Sequence, residues 1–143
     1  MAEQPLPVPD PVTQPFWDSL KAHRMQLQHC GGCQRFVYYP RAVCPECLSD
    51  DLAWTDVSGR GVIHAFTIPH RHPNPAFGAR VPYVVVLVEL EEGVRMLSNL
   101  VDVEPTPEAV RIGAPVELVY DDVSESITLP RFRPSDTPAG RGR

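Results

Sequence analysis

Two Cys-x-x-Cys turns within eighteen residues constrain this chain more than any other feature. Cys30 and Cys33 form the first pair, and Cys44 and Cys47 form the second. Two residues between the thiols of a pair allow both sulfurs of one tight turn to face a single ion. The ten residues between the pairs leave room for a hairpin that brings the second turn opposite the first. Four thiolates arranged in this way predict a zinc-ribbon site.

The predicted metal is expected to hold the fold rather than to react. Four protein ligands leave no open position for a substrate or an activated water. A ribbon of about thirty residues buries too little apolar surface to be stable alone, whereas structural zinc contributes roughly 10–16 kcal/mol. Iron of the rubredoxin kind fits the same four thiolates, but nothing else in the sequence indicates electron transfer, so zinc is favoured.

Composition narrows the class of protein. The 143 residues are 43% hydrophobic and 22% charged, which is typical of a globular chain. No apolar run approaches the ~20 residues of a membrane helix, and the first fifteen residues lack the basic start and apolar stretch of a secretory signal. We therefore expect a cytoplasmic protein, in which thiols stay reduced and bind metal rather than form disulfides. The net charge of −5 disfavours a general nucleic-acid binder.

The remaining pattern predicts a mainly β protein. A short helix is expected after Thr13 as N-cap, with Phe16 and Leu20 one turn apart. Alternating residues predict strands near positions 54–57, 62–68, 94–101, 115–120 and 127–132, and residues 83–90 read as a strand buried on both faces. Turns are expected at residues 91–93 and 121–122, and a short helical turn at 106–111. About five strands without a long helix suit a small closed barrel.

Few residues outside the cysteines suggest a site. Phe16 and Trp17 either pack on the following domain, which is favoured, or dock a partner. Residues 69–82 form a proline-rich loop that is expected to be irregular and long enough to be functional. The histidines of this region (His64, His70 and His72) read as exposed polar residues before they read as a catalytic group. Phe77, Arg80 and Tyr83 follow in or beside the same loop. No G-x-S-x-G, H-E-x-x-H or phosphate-binding glycine loop is present.

The order of these motifs resembles a known family. An FW-bearing helix precedes the cysteine turns and PRAVCPEC, and SGRGVIHAFT, PYVVVLVEL, RIGAPVELVY and LPRFRP follow in sequence. This set is similar to the acyl-CoA-associated family that joins a rubredoxin-like zinc ribbon to an OB-fold barrel, catalogued as domain of unknown function thirty-five. The resemblance covers about residues 13–134. It implies a tail and short helix over 1–26, a zinc ribbon over 27–56, an OB-fold over 57–133 and a flexible tail over 134–143.

The resemblance also implies a function. Members are accessory subunits of thiolase-like enzymes, including lipid-transfer-protein thiolases; some bridge a thiolase to hydroxymethylglutaryl-CoA synthase, and others join an aldolase of steroid side-chain CoA thioesters. Catalytic residues then lie in the partner, and this subunit supports it and contacts the acyl-CoA. The four cysteines are the implied ligands. The candidates for partner or CoA contact are Phe16, Trp17, His70, His72, Phe77, Arg80 and Tyr83.

Two other functions stay open at this point. Ribbons and OB barrels both bind single-stranded nucleic acid, and the Arg-rich end, RPSDTPAGRGR, is the one feature that favours this function. A free-standing enzyme would have to use the loop that carries His70 and His72. The net charge disfavours the first alternative, and a proline-rich loop is a poor support for a catalytic base.

Overall fold

The computed structural model describes residues 5–136, which form two short helices and eight strands. In chain order the elements are α1 (Gln14–Lys21), β1 (Gln26–Cys30), β2 (Phe36–Val37), β3 (Leu52–Asp56), β4 (Arg60–Thr67), α2 (Pro75–Gly78), β5 (Val84–Leu90), β6 (Arg95–Leu100), β7 (Pro115–Asp122) and β8 (Thr128–Pro134). The outermost parts of both predicted tails, residues 1–4 and 137–143, lie outside the described residues. None of the helices in the described part is long and apolar enough to span a membrane.

The strands form two sheets. The first is three-stranded and antiparallel, in the order β2-β1-β3, and the second is a closed barrel in the order β4-β5-β6-β8-β7. Neighbouring barrel strands are antiparallel except β6 and β8, which meet in parallel at Leu100 and Phe132. The predicted fold class is therefore confirmed: a mainly β chain with a short N-terminal helix, a cysteine ribbon and a five-stranded OB-fold barrel.

Helix α1 begins differently from the prediction. Thr13 stands at the N-cap but has helical backbone angles and makes no side-chain capping bond. Asp10 provides the cap, because its Oδ1 accepts from the backbone N–H of Thr13 at 2.8 Å and its carbonyl accepts from Gln14 at 2.8 Å. Thr13 Oγ1 accepts in return from the backbone N–H of Asp10 at 3.0 Å. The two side chains thus satisfy each other's backbone donors, as in a capping box.

One hydrophobic core joins the helix, the ribbon and the barrel. Phe16 is 1% exposed and Trp17 is 8% exposed, and both belong to the same cluster as Leu27 of β1 and Phe132 of β8. Both side chains are therefore packed against the barrel, as the favoured interpretation expects, and they do not form an exposed surface for a partner. Trp17 also donates from Nε1 to the hydroxyl of Tyr39 at 3.2 Å, so its polar atom has a partner inside the protein.

Three other local predictions are wrong in part. Strand β5 alternates, with Val84 and every second residue after it buried and the others half-buried, so one of its faces is less enclosed than expected. The loop at 69–82 contains α2, which begins because Asn74 Oδ1 accepts from the backbone N–H of Ala76 at 2.9 Å. Strand β7 continues through Asp121 and Asp122, and the turn follows at residues 123–127.

The remaining turns agree with the prediction. Gly93 has a φ of +96° and donates from its backbone N–H to the carbonyl of Leu90 at 2.8 Å, which closes the β5–β6 hairpin. Glycine adopts this conformation without steric cost. Between β6 and β7, the backbone N–H of Ala109 donates to the carbonyl of Thr106 at 3.1 Å, so the expected helical turn is a single hydrogen-bonded turn.

Candidate metal centre and barrel cavity

The two Cys-x-x-Cys turns have the same backbone geometry. In the first, the N–H of Gln34 donates to the carbonyl of Cys30 at 2.9 Å, and in the second the N–H of Leu48 donates to the carbonyl of Cys44 at 2.8 Å. Gln34 and Leu48 each follow the second cysteine of a pair, and their φ angles are +64° and +63°. One local structure, used twice, therefore places two pairs of sulfurs face to face.

The four sulfurs lie at the distances that a tetrahedral metal ion requires. Cys30 Sγ is 3.5 Å from Cys47 Sγ, and Cys33 Sγ is 3.7 Å from Cys44 Sγ. All four sulfurs lie within 4.8 Å of one another. An ion bound at about 2.3 Å from each of four sulfurs would space them by about 3.8 Å. The arrangement fits one ion with four thiolate ligands, as the spacing predicts.

Hydrogen bonds and burial shift the pKa values of two of the thiols in opposite directions. The backbone N–H of Cys33 lowers the pKa of the Cys30 thiol to about 7, helped by the thiol of Cys47 and the N–H of Gly32 and opposed by burial. The backbone N–H of Arg35 lowers the pKa of Cys33, but burial and the neighbouring thiols raise it to about 12 overall. A bound cation favours the thiolate form of all four side chains, so metal binding resolves this conflict.

A pair of hydrogen bonds that the sequence does not reveal supports the site. Gln28 is buried on β1, and its amide donates to the carbonyl of Arg41 at 2.8 Å while accepting from the backbone N–H of Arg41 at 2.8 Å. The bonds join β1, just before the first cysteine turn, to residue 41, which lies three residues before the second. They hold the connection of residues 38–43 against β1, so the second turn returns to the first. Behind the sulfurs, Val37 and Leu52 form a small apolar cluster with Cys30 and Cys44.

A second candidate site lies on the outer wall of the barrel. It is a cavity of about 450 Å³, which lies between the loop that contains α2 and the outward side chains of four strands. Its apolar wall includes Phe77, Tyr83, Val85, Leu97 and Val101. Two arginines, Arg80 of the loop and Arg131 of β8, also line it. Three of the predicted contact residues (Phe77, Arg80 and Tyr83) therefore come together here.

The other predicted contact residues lie elsewhere. His70 is exposed, and the half-buried His72 accepts at Nδ1 from the backbone N–H of Asn74 at 2.9 Å and packs on Phe77. His72 therefore stabilises the start of α2. Neither histidine lines the cavity. His64 is exposed on β4, at a point where its register with β5 shifts.

The other eight cavity residues were not anticipated from the sequence as site residues: Val85, Leu97, Ser98, Asn99, Leu100, Val101, Asp121 and Arg131. The available signal was the period-two pattern of β5 and β6, which places Val85, Leu97 and Asn99 on outward positions. Nothing local indicates that Arg131 joins them, because it comes from a strand more than thirty residues away.

Comparison with known proteins identifies relatives over most of the chain. Residues 17–53 match the family model for the rubredoxin-like zinc ribbon domain of ChsH2, and residues 54–121 match the model for its C-terminal OB-fold domain. A probable enoyl-CoA hydratase alpha subunit from Thermomonospora curvata is 38% identical over 121 residues, which cover 84% of this chain and 37% of the relative. A DUF35 domain-containing scaffold protein from Methanothermobacter thermautotrophicus is 38% identical over 97 residues, which cover 67% of this chain and 71% of the relative.

A solved structure agrees with these relatives. The chain superposes on a chain of an Ltp2-ChsH2(DUF35) aldolase with a TM-score of 0.78 and 35% identity, covering 90% of this chain and 98% of that one. In contrast, this chain spans only about a third of the length of the hydratase subunit (37%).

Proposed function

Because the chain belongs to the DUF35 family of proteins that join a rubredoxin-like zinc ribbon to an OB-fold, we propose that it is a non-catalytic subunit of an enzyme acting on acyl-CoA thioesters. The observation that carries the proposal is the chemistry of the metal centre. Its four sulfurs occupy every position of a tetrahedral ion, which leaves none for a substrate. The four cysteines, which are the side chains that most suggest a reactive centre in the sequence, are therefore assigned a structural role.

The histidines support a non-catalytic role. Within residues 5–136, His23 and Asp122 form a His–Asp pair, with His23 Nε2 3.0 Å from both carboxylate oxygens. The hydroxyl of Thr128 donates to Asp122 and does not contact the imidazole. In a catalytic triad the carboxylate contacts one ring nitrogen of the histidine, and the hydroxyl that acts as the nucleophile contacts the other ring nitrogen. The pair is thus arranged to connect two segments.

We propose zinc as the ion, bound by Cys30, Cys33, Cys44 and Cys47. A four-thiolate tetrahedron suits zinc and also iron, and the family model describes a zinc ribbon. When bound, the ion supplies folding free energy and crosslinks the two turns. Metal analysis of the chain purified without added metal tests this assignment, and iron with a visible thiolate-to-iron absorption band would contradict it.

The proposed partner is a thiolase-like enzyme of the lipid-transfer-protein kind. The proposed reaction is the aldol cleavage of a CoA thioester, such as the CoA thioester of a steroid side chain. The relative described as an Ltp2-ChsH2(DUF35) aldolase supports this choice, and the relative described as a scaffold protein supports the accessory role. We expect the loop at residues 69–82 and the neighbouring outer wall of the barrel to face the partner and its acyl-CoA.

Co-purification tests the proposal. The chain is expressed together with a lipid-transfer-protein thiolase-like enzyme from its own genome, and the complex is measured by size-exclusion chromatography with light scattering. We expect a hetero-oligomer, and aldol cleavage by the complex but by neither chain alone. Leu97→Glu should weaken the complex at least about tenfold, because it buries a charge in the interface, whereas Val8→Glu should not. Turnover by this chain alone, or no association, would contradict the proposal.

A further inference from the structure

The cavity on the barrel wall has the make-up of a small-molecule site. Its volume of about 450 Å³ lies within the range of roughly 300–1,000 Å³ that is usual for ligand pockets. Apolar side chains from the loop, β5 and β6 form most of its lining, and a few polar groups converge from β6, β7 and β8. The pocket is already formed in the described chain, so binding would require little rearrangement.

The apolar wall is exposed to a degree that needs explanation. Leu97 lies in the middle of β6, between strand neighbours, and is 66% exposed. An outward position in the centre of a strand is usually polar when it faces water. Val85 and Tyr83 are half-buried beside it. Together these side chains offer a hydrocarbon surface that no other part of residues 5–136 covers.

The cationic end of the cavity is held in place by neighbouring groups. The side chain of Arg131 is only 13% exposed. Its Nε donates to Asp121 Oδ2 at 3.0 Å, and its Nη1 donates to Asn99 Oδ1. A guanidinium has five N–H donors, so these two bonds leave three for a ligand. Within residues 5–136, Oε1 of Glu92 is the one buried side-chain nitrogen or oxygen atom that has no hydrogen-bond partner. Nη2 of Arg131 makes neither of the two bonds above and is not among such atoms, so it is open to solvent.

The charges select the type of anion. Arg80 lines the cavity and has no acidic partner within residues 5–136. Arg131 is already paired with Asp121, so the two arginines and one aspartate leave a single positive charge. One unpaired guanidinium beside an apolar wall matches a ligand with one negative charge and a hydrocarbon body. A polyphosphate would bring several charges that these residues do not balance.

We propose that this cavity binds a small apolar carboxylate, with its hydrocarbon against Leu97 and Val85 and its carboxylate on Arg80 and the free donors of Arg131. The inference does not rest on the proposed function, since it concerns this chain alone, without a partner enzyme. It differs from binding of the nucleotide end of CoA, which carries phosphates.

Binding of decanoate to the full, zinc-loaded chain tests the proposal, with 1-decanol as the uncharged match. Titration calorimetry gives both affinities, and amide shifts of Leu97 and Asn99 in NMR spectra locate the site. We expect decanoate to bind about tenfold more tightly than decanol, because a charge-assisted hydrogen bond is worth at least about that factor. Arg80→Gln should abolish the preference, and Leu97→Ser should weaken both ligands.

Controls separate this result from its alternatives. Arg41→Gln removes an exposed arginine of the ribbon whose recorded hydrogen bonds are made by its backbone, and it should leave both affinities unchanged. Coenzyme A and decyl phosphate should not displace decanoate at equal concentration; displacement by either would overturn the choice of a carboxylate. Equal binding of decanoate and decanol, a preference that survives Arg80→Gln, or no binding of either would overturn the site. With no binding, the groove would remain a surface for protein docking.

Discussion

The imidazole of His23 lies flat against the phenol ring of Tyr120, with ring centroids 4.8 Å apart and planes 7° from parallel. The hydroxyl of Tyr120 accepts from the backbone N–H of Met25 at 2.9 Å, and His23 Nε2 faces Asp122. These contacts join the segment between α1 and β1 to β7. The segment that leads into the ribbon is therefore held on the barrel by contacts between residues nearly one hundred positions apart in sequence.

The pH dependence of stability should reveal this connection. The Thr128 hydroxyl, and after it His23, lowers the pKa of Asp122 below its ordinary value of 3.8. The folded pKa lies below the unfolded one, so the stabilising effect is complete above pH 3.8 and is lost as the pH falls through the folded pKa. Thr128→Val should raise the pKa of Asp122 in a carboxyl NMR titration.

Urea unfolding of the same variant at two pH values provides the second readout. Thr128→Val should be less stable than the unmodified chain at pH 7, and the difference should narrow below the folded pKa of Asp122. Ser126→Ala, in the adjacent turn, serves as the control and should leave that pKa unchanged. An Asp122 pKa that is the same with and without the Thr128 hydroxyl would refute the assigned cause.

Removal of one metal ligand should unfold the ribbon. Cys44→Ser deletes a buried sulfur of the tetrahedral set. The ribbon buries too little apolar surface to be stable alone, and the three remaining ligands bind the ion too weakly to supply the missing folding free energy. We expect a zinc-free protein that has lost the amide dispersion of β1 and β2, measured by elemental analysis and NMR. Val43→Ala, one residue away, should keep both. Full zinc occupancy in Cys44→Ser would show that the ligand assignment is wrong.

Truncation of Phe16 should destabilise the whole chain rather than the helix alone. Its ring is buried and packs edge-on against Trp17 and Tyr38 in the core that the helix shares with the barrel. Phe16→Ala should lower the free energy of unfolding by about 3–5 kcal/mol in urea titrations. Val8→Ala, at a position that is 90% exposed, should change it little. Barrel amides that keep full hydrogen-exchange protection in Phe16→Ala would count against a shared core.

Gly61 should tolerate no side chain. A Cβ at this position would clash with the carbonyl oxygen of Glu89 and would lie 2.8 Å from Val88 Cγ1, where β4 pairs with the end of β5. Gly61→Ala must push the strands apart, which should cost about 1–3 kcal/mol by thermal or urea unfolding.

Gly93→Ala is the informative comparison for Gly61. Nothing lies within 4 Å of a Cβ at Gly93, but its φ of +96° is strained for alanine, at about 1 kcal/mol. If Gly61→Ala were the more stable of the two variants, the close approach of β4 and β5 would be disproved.

The metal centre was predictable because its signal is local. Two residues between cysteines and one residue of left-handed backbone after each pair define each turn, and neither depends on the rest of the chain. The barrel was predictable for a similar reason, since the period-two patterns of its strands lie in continuous stretches. The division at residue 56 stays a prediction, although the two family models meet nearby, at residues 53 and 54.

The failures have tertiary causes. For Phe16 and Trp17 the sequence favours packing but leaves docking of a partner open, and only the barrel surface that covers them shows that they are buried. Asp121 and Asp122 look like turn residues, but Arg131 pairs with the first, and His23 and Thr128 hydrogen-bond to the second, so the strand continues through both. The cavity assembles side chains from a loop and four strands. No single window of sequence contains these partners.

Only residues 57–59 separate the end of β3 from the start of β4, and helix α1 packs into the core of the barrel. This short passage has a mechanical consequence. Since three residues and a shared core connect them, the ribbon and the barrel are not joined by a flexible linker. The Cys-x-x-Cys turns and the cavity are therefore expected to keep a fixed separation and orientation. Any molecule that binds the ribbon and the barrel wall at the same time would therefore meet two surfaces whose spacing is set by the fold of this chain.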